Sequence, residues 1–328
     1  MTIKKTNTSI CNKKDKNLSI KNVVNISILL IIFILSLIIG PYYTNGDQLF
    51  YRKTYEGLKG LNIGDGFDFY TAGVGSKEFV HFFLSWITSN LNMDKDLFVS
   101  ISNTLLAYST VMLLRKWKVS VFIIAILLFT NFYFYVLYFS AERLKFGFIF
   151  LMLSFLYVRY FLIFSFLSII SHSQSLILYG AMLFNILVIR IKKILMTGRI
   201  SLSLTLIIIL FITSLFFLIK HIVAKFEYYN SGHDFSDLVK IISFFMLSLY
   251  YSKYKNEVVF IFIPLFICIF FIGGDRVNMI GYFVFLYYAL PIRNGLNIGV
   301  VATSIYFLFA SLNFLTKVIE HGDGFYDY

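Results

Sequence analysis

Long apolar runs alternate with short polar breaks along this chain, and the breaks rarely exceed a few residues after position 97. Measured against the ~20 residues a helix needs to cross hydrocarbon, the runs predict helices near residues 23 to 43, 97 to 114, 119 to 138, 143 to 158, 160 to 171, 174 to 190, 200 to 220, 238 to 252, 257 to 273, 277 to 290 and 296 to 314. The expectation is an all-α, polytopic membrane protein of about eleven passes, forming a single domain over residues 1 to 328. Residues 44 to 96 and 225 to 237 read as polar loops between passes.

Two segments depart from the simple pattern. Residues 78 to 92 are apolar but short, with His81, Ser85 and Thr88 at helical spacing, which predicts an amphipathic helix lying on the membrane surface or dipping into it. Residues 160 to 170 are too short to span comfortably and are expected to form a tight or re-entrant pair with the next helix, with His172 near the tip. The Gly-rich stretch from residue 57 to 75 includes Gly73-Val74-Gly75-Ser76-Lys77 but lacks the spacer of a phosphate loop, and reads as a flexible loop.

Charge fixes an expected orientation. A leader over residues 1 to 22 carries Lys4, Lys5, Lys13, Lys14, Lys16 and Lys21, and the run behind it ends at Gly40-Pro41-Tyr42-Tyr43 without a small-x-small cleavage pattern. The run therefore reads as a retained anchor with its amino end in the cytoplasm. Alternate breaks then place Arg115, Lys116, Lys118, Arg159, Arg190, Lys192, Lys193, Arg199, Lys253, Lys255 and Arg293 on the same side, as the positive-inside rule asks. The opposite side receives Asp47, Glu142, Arg143, His172, Asp275 and Arg276, ionisable residues at helix mouths that hydrocarbon excludes.

Composition fits the same picture: 59% of the 328 residues are hydrophobic, 14% charged and 20% aromatic, with a mean hydropathy of +0.79. The net charge of +12 is dispersed in short breaks and forms no nucleic-acid stripe. Cys11 and Cys268 fall in different environments, so no disulfide is expected. His81, His221, His233 and His321 read as surface residues whose spacing makes no metal site, and neither a metal nor another cofactor is expected.

The helix-mouth residues carry the candidate chemistry. Arg143 and Arg276 each follow a carboxylate, Glu142 and Asp275, and a planar guanidinium matches phosphate oxygens bidentately. Each Arg can also be spent on its acidic neighbour or on lipid headgroups. His172 lies in Ser171-His172-Ser173-Gln174-Ser175, where imidazole could move a proton or simply tie a hairpin together. Asp47 precedes Tyr51, Arg52 and Tyr55, and carboxylates beside aromatic rings suit sugar hydroxyls and sugar faces. Asp65, Asp68, Glu227 and Asp234 read as solvated.

In order and spacing these elements resemble the bacterial O-antigen and exopolysaccharide polymerases of the Wzy and EpsG type: Gly46, Asp47, Tyr51 and Tyr55, then Glu78-Phe79-Val80, Tyr138-Phe139-Ser140-Ala141-Glu142-Arg143, His172-Ser173-Gln174-Ser175-Leu176, and Arg276 to Tyr282. Leu144 stands where members commonly have Gln, and Ser171 where they often have an aromatic residue. The resemblance implies a GT-C-like membrane bundle in the bacterial inner membrane, with its active face periplasmic. It implies a glycosyltransferase that moves a growing glycan from undecaprenyl diphosphate to the non-reducing end of another lipid-linked repeat unit, in one inverting step. Arg143 and Arg276 would bind the diphosphate without a metal, and Tyr51, Arg52, Tyr55 and Glu78 the glycan. Asp47, Glu142, His172 and Asp275 are the candidate bases in no order. Membrane lipid and a chain-length regulator protein are the implied partners.

A flippase for lipid-linked oligosaccharide would place charges through the bilayer midplane and show pseudo-repeats, and neither is evident. A membrane acyltransferase would want a cytoplasmic entry for its donor. An O-antigen ligase shares the donor chemistry and is not separated by sequence.

Overall fold

The computed structural model describes residues 20–197 and 235–326, together with Thr205 and Ile209. The helix expected near 200 to 220, the basic leader up to residue 19, the loop positions 225 to 234 and His221 and His233 lie outside the described residues. Among the described residues all regular structure is helical.

Helix α1 (Ile20–Ile39) runs into a 3-10 turn at Gly40–Tyr42. Three short helices follow where the sequence predicted one: α2 (Asp47–Gly57), α3 (Ile63–Val74) and α4 (Phe79–Asn90). The Gly-rich stretch is thus not an irregular loop. Asn62 starts α3 by accepting from the Asp65 amide at 2.9 Å, and Gly75 ends it at φ 66, a left-handed position suited to glycine. Asp65 and Asp68 are exposed, as expected of solvated residues.

The remaining helices are α5 (Lys95–Lys116), α6 (Val121–Thr130), α7 (Phe132–Tyr135) with a π turn at Val136–Ser140, α8 (Glu142–Leu156), α9 (Phe161–Ser171), α10 (Ser175–Thr197), α11 (Phe235–Tyr251), α12 (Lys255–Ile272), α13 (Gly274–Ala289) and α14 (Ile298–His321). By length and composition, three helical spans among the described residues, Asn22–Tyr42, Lys95–Lys116 and Ile292–His321, suit a membrane crossing. There are up to five if each of two bent pairs counts as one span. Several expected passes are instead halves of bent helices or segments too short to qualify. Residues 119 to 138 break by 61° at Asn131, whose extended backbone and side-chain acceptor for the Tyr133 amide restart the helix.

The short helix at 160 to 170, expected to pair with the next helix, instead folds back on the one before it, with α8 and the segment Val158–Ser171 meeting at a 119° bend. Small residues allow the close approach. Ser165, Ser168 and Ser171 recur every third position and are all buried, and Ser168 Oγ donates to the Gly147 carbonyl at 2.7 Å.

Elsewhere α1 packs on α5, α5 on α8, α10 on α12, α11 on α13, and α14 on α6 and α7. The starts of α2, α8, α10 and α13 and the end of α9 meet at one end of the bundle. At the opposite end Lys116 donates to the Phe155 and Leu156 carbonyls that close α8, and the Ser120 amide donates to the Asn294 carbonyl beside Arg293.

Helix α4 reverses its expected orientation. Its polar side, His81, Ser85 and Ser89, is buried against the bundle, while Phe79 and Phe83 face outward. A polar stripe can satisfy itself on buried partners as well as on water, and here partners are present.

Candidate functional site

A cavity of about 340 Å³ opens where the helix ends converge. Asp47, Tyr51, Arg143, His172, Asp275 and Arg276 all line it, with Gln174, Asp237 and the aromatic rings of Phe132, Tyr133 and Phe325. Six residues singled out from four separate stretches of sequence therefore share one space. The π turn at Val136–Ser140, a feature that often marks functional segments, contributes Val136 and Ser140 to its wall.

Arg143 is held in a defined pose. Its Nε donates to Tyr51 Oη at 2.9 Å and its Nη1 meets Glu78 Oε2 at 3.1 Å. Burial raises the Tyr51 phenol above its ordinary range, so it stays an O–H beside the guanidinium. Glu78 does not line the cavity; its other oxygen, Oε1, lies 3.6 Å from His172 Nε2. The Gln174 amide donates to His172 Nδ1 at 3.1 Å, which in neutral imidazole leaves the proton on Nε2, facing Glu78. His172 is thereby set to donate rather than to accept.

On the opposite wall Gly273, at φ 96, turns the chain from α12 into α13 and presents Asp275 and Arg276. Gln174 Nε2 donates to the Arg276 carbonyl at 2.9 Å, tying α10 to α13 across the cavity. Asp237 accepts from Lys240 and Asn278, both at 3.2 Å, and Lys240 Nζ lies 3.8 Å from the exposed Asp275 carboxylate.

Behind the cavity sits a buried polar cluster centred on Glu142, which is 1% exposed. Its carboxylate accepts from Lys95 Nζ at 2.6 Å, Gln48 Nε2 at 2.8 Å and His81 Nε2 at 3.3 Å. Tyr70 Oη lies 2.9 Å from His81 Nδ1. Burial pushes His81 down to about 4, so the ring is neutral at pH 7, accepts from Tyr70 and donates to Glu142. His81 is a buried joint between α4 and α8, not the surface residue expected from sequence. Gln48 Nε2 also donates to the Phe139 carbonyl in the π turn, and the buried Lys145 donates to the Tyr138 carbonyl at 3.1 Å. The cluster fixes the start of α8, and with it Arg143.

Besides Glu78, three candidates lie off the cavity. Glu142 spends its oxygens within the cluster. Arg52 donates to Asp96 and to the Gly40 and Tyr43 carbonyls, pinning α2 to α1 and α5. Tyr55 donates to the Met93 carbonyl at 3.0 Å and stacks on Phe98. Gln48 and Lys95 escaped sequence reasoning because their partner Glu142 is 94 and 47 positions away, and Tyr70 because its partner His81 reads as a surface residue. Their only sequence signal was polar character within otherwise apolar faces. Asp237, at the edge of a segment expected as loop, was likewise missed. Among the described residues no three His, Cys, Asp or Glu side chains converge as metal ligands. The chain matches no protein-family model, no curated protein and no solved structure.

Proposed function

We propose that this protein is a membrane glycosyltransferase of the O-antigen and exopolysaccharide polymerase kind, acting on the outer face of the bacterial inner membrane through a GT-C-like helical bundle. The supporting observation is the convergence of Arg143 and Arg276 on one cavity together with Asp47, His172 and Asp275. Two guanidinium groups at one end of an apolar bundle suit a diphosphate whose prenyl anchor stays in lipid. Aromatic rings on the same wall suit the sugar it carries.

In the proposed reaction the acceptor hydroxyl gives its proton to a carboxylate and its oxygen attacks the anomeric carbon of the donor. The bond from that carbon to the diphosphate oxygen breaks, and undecaprenyl diphosphate departs with the electron pair. Arg143 and Arg276 stabilise the charge that develops on it. Attack opposite the leaving group inverts the anomeric centre. Glu142 is unsuited to be the base because Lys95, Gln48 and His81 already occupy it. His172 is unsuited because Nδ1 is engaged and Nε2 carries the proton. Asp47 and Asp275 remain, one on either wall. A chain-length regulator is the expected protein partner.

The test is genetic complementation read as a glycan ladder. Arg143→Ala and Arg276→Ala are each expected to abolish long chains while the protein stays in the membrane. Normal ladders in both variants would remove the site.

A further inference from the structure

A second cavity, of about 290 Å³, adjoins the first and shares with it the walls Phe132, Tyr133, Asp275 and Phe325. It fills a wedge between α11 and α14. The two helices meet at the far end, where the Gly299 amide donates to Tyr251 Oη at 2.8 Å, and again midway, where Phe244 stacks on Phe307 at 6.3 Å. Towards the arginine-lined end they part. Lys240 stands on one lip and Lys317 on the other, above Tyr306, Phe307 and Ala310.

The wedge opens on the flank of the bundle. Tyr306 is 56% exposed, and only 33% of the α14 span is buried. A lysine reaches headgroup depth by snorkelling from an apolar stem, and aromatic rings favour the same level. A cleft walled by aromatic rings, with Lys317 and an Asp237- and Asp275-paired Lys240 at its rim, suits a lipid whose phosphate head can compete for those ammonium groups. Among the described residues a further cavity, about 230 Å³ between α5, α8, α10 and α13, shares no lining residue with the arginine site.

We propose that the α11–α14 crevice is the lateral portal through which the prenyl chain of the lipid-linked substrate leaves the arginine-lined cavity, with Lys240 and Lys317 holding the lipid-side phosphate. This rests on the function proposed above. It commits to the substrate lipid rather than bulk phospholipid because the crevice and the arginine site are contiguous across Asp275 and Tyr133.

The experiment compares binding of undecaprenyl diphosphate and inorganic pyrophosphate to the full chain in nanodiscs. Filling the crevice with Ala310→Trp is expected to weaken undecaprenyl diphosphate at least about tenfold and leave pyrophosphate unchanged, whereas Arg143→Ala weakens both. Lys240→Gln with Lys317→Gln is expected to weaken the prenyl ligand while preserving its preference over phosphatidylglycerol. A photoactivatable prenyl diphosphate should label α14 around Tyr306, an outcome that does not depend on a variant folding. Equal loss of both ligands in Ala310→Trp, labelling confined to α10 and α12, or displacement by equimolar phosphatidylglycerol would overturn the portal. A protein that passes these tests yet elongates no glycan would keep the portal and lose the polymerase. One that elongates glycan with Ala310→Trp unaffected would do the reverse.

Discussion

The carboxylate of Glu142 accepts from Lys95, Gln48 and His81 together, so Glu142→Gln would strand the Lys95 ammonium in a buried site. Breaking a buried pair from one side costs about 3–5 kcal/mol, and thermal unfolding in detergent should show a far larger loss than Asp47→Asn, whose side chain is exposed. An equal effect of the two substitutions would contradict the structural role. His81 supplies a pH signature. Its pKa is about 4 when folded against 6.5 when free, so the unfolded chain takes up a proton first as pH falls. The stability contributed by neutral His81 is complete above about pH 6.5 and drains between there and about pH 4, at up to about 1.4 kcal/mol per pH unit. Melting temperatures from pH 7.5 to 5 should fall more steeply for the wild type than for His81→Gln. Catalysis divides differently: of Asp47→Asn and Asp275→Asn, the one that removes the base should lower elongation by about 10²-fold or more. Wild-type rates in both would leave the proposed chemistry without a proton acceptor. Arg143 and Arg276 were legible in the sequence because a guanidinium beside an apolar run is conspicuous. The residues that fix Arg143 were not, since Lys95 and Glu142 are 47 positions apart and nothing local links them.

At the scale of elements, the hinge between α8 and α9 sets where His172 stands relative to Arg143. A Cβ on Gly147 would meet Ser175 Oγ at 2.9 Å and the His172 Cβ at 3.3 Å. Gly147→Val should therefore spread the pair, costing about 1–3 kcal/mol of stability, and weaken diphosphate binding with it. Unchanged binding would show that the hinge does not position the site. Apolar periodicity located most of these helices within a few residues, because burial in lipid or protein imposes the same hydrophobic run. It failed at three places for physical reasons. Asn131 interrupts a helix by capping a new one, and asparagine is not by itself a breaker. The stripe on α4 looked surface-facing because composition does not say whether polar groups find water or Glu142. The glycines around α3 suggested a loop, but Asn62 and Gly75 cap a helix between them.

Across the whole molecule, the sided charge pattern grouped Asp47, Arg143, His172 and Arg276, and these residues share one cavity at one end of the bundle. That grouping was readable because basic flanks and run lengths constrain which helix ends lie together. The number of crossings was not, since run length does not reveal whether a break is a loop or a bend within one helix. The polymerase reading depends on the convergence of cationic, acidic and aromatic groups beside an exposed flank of the bundle. The most direct measurement is incubation of the purified full chain, in nanodiscs, with a defined undecaprenyl-diphosphate-linked repeat unit, with products separated on a gel. A ladder of elongated lipid-linked glycans, lost in Arg143→Ala and Arg276→Ala, is expected. No elongation, accompanied by measurable movement of the lipid between leaflets, would contradict a polymerase and make this a transporter.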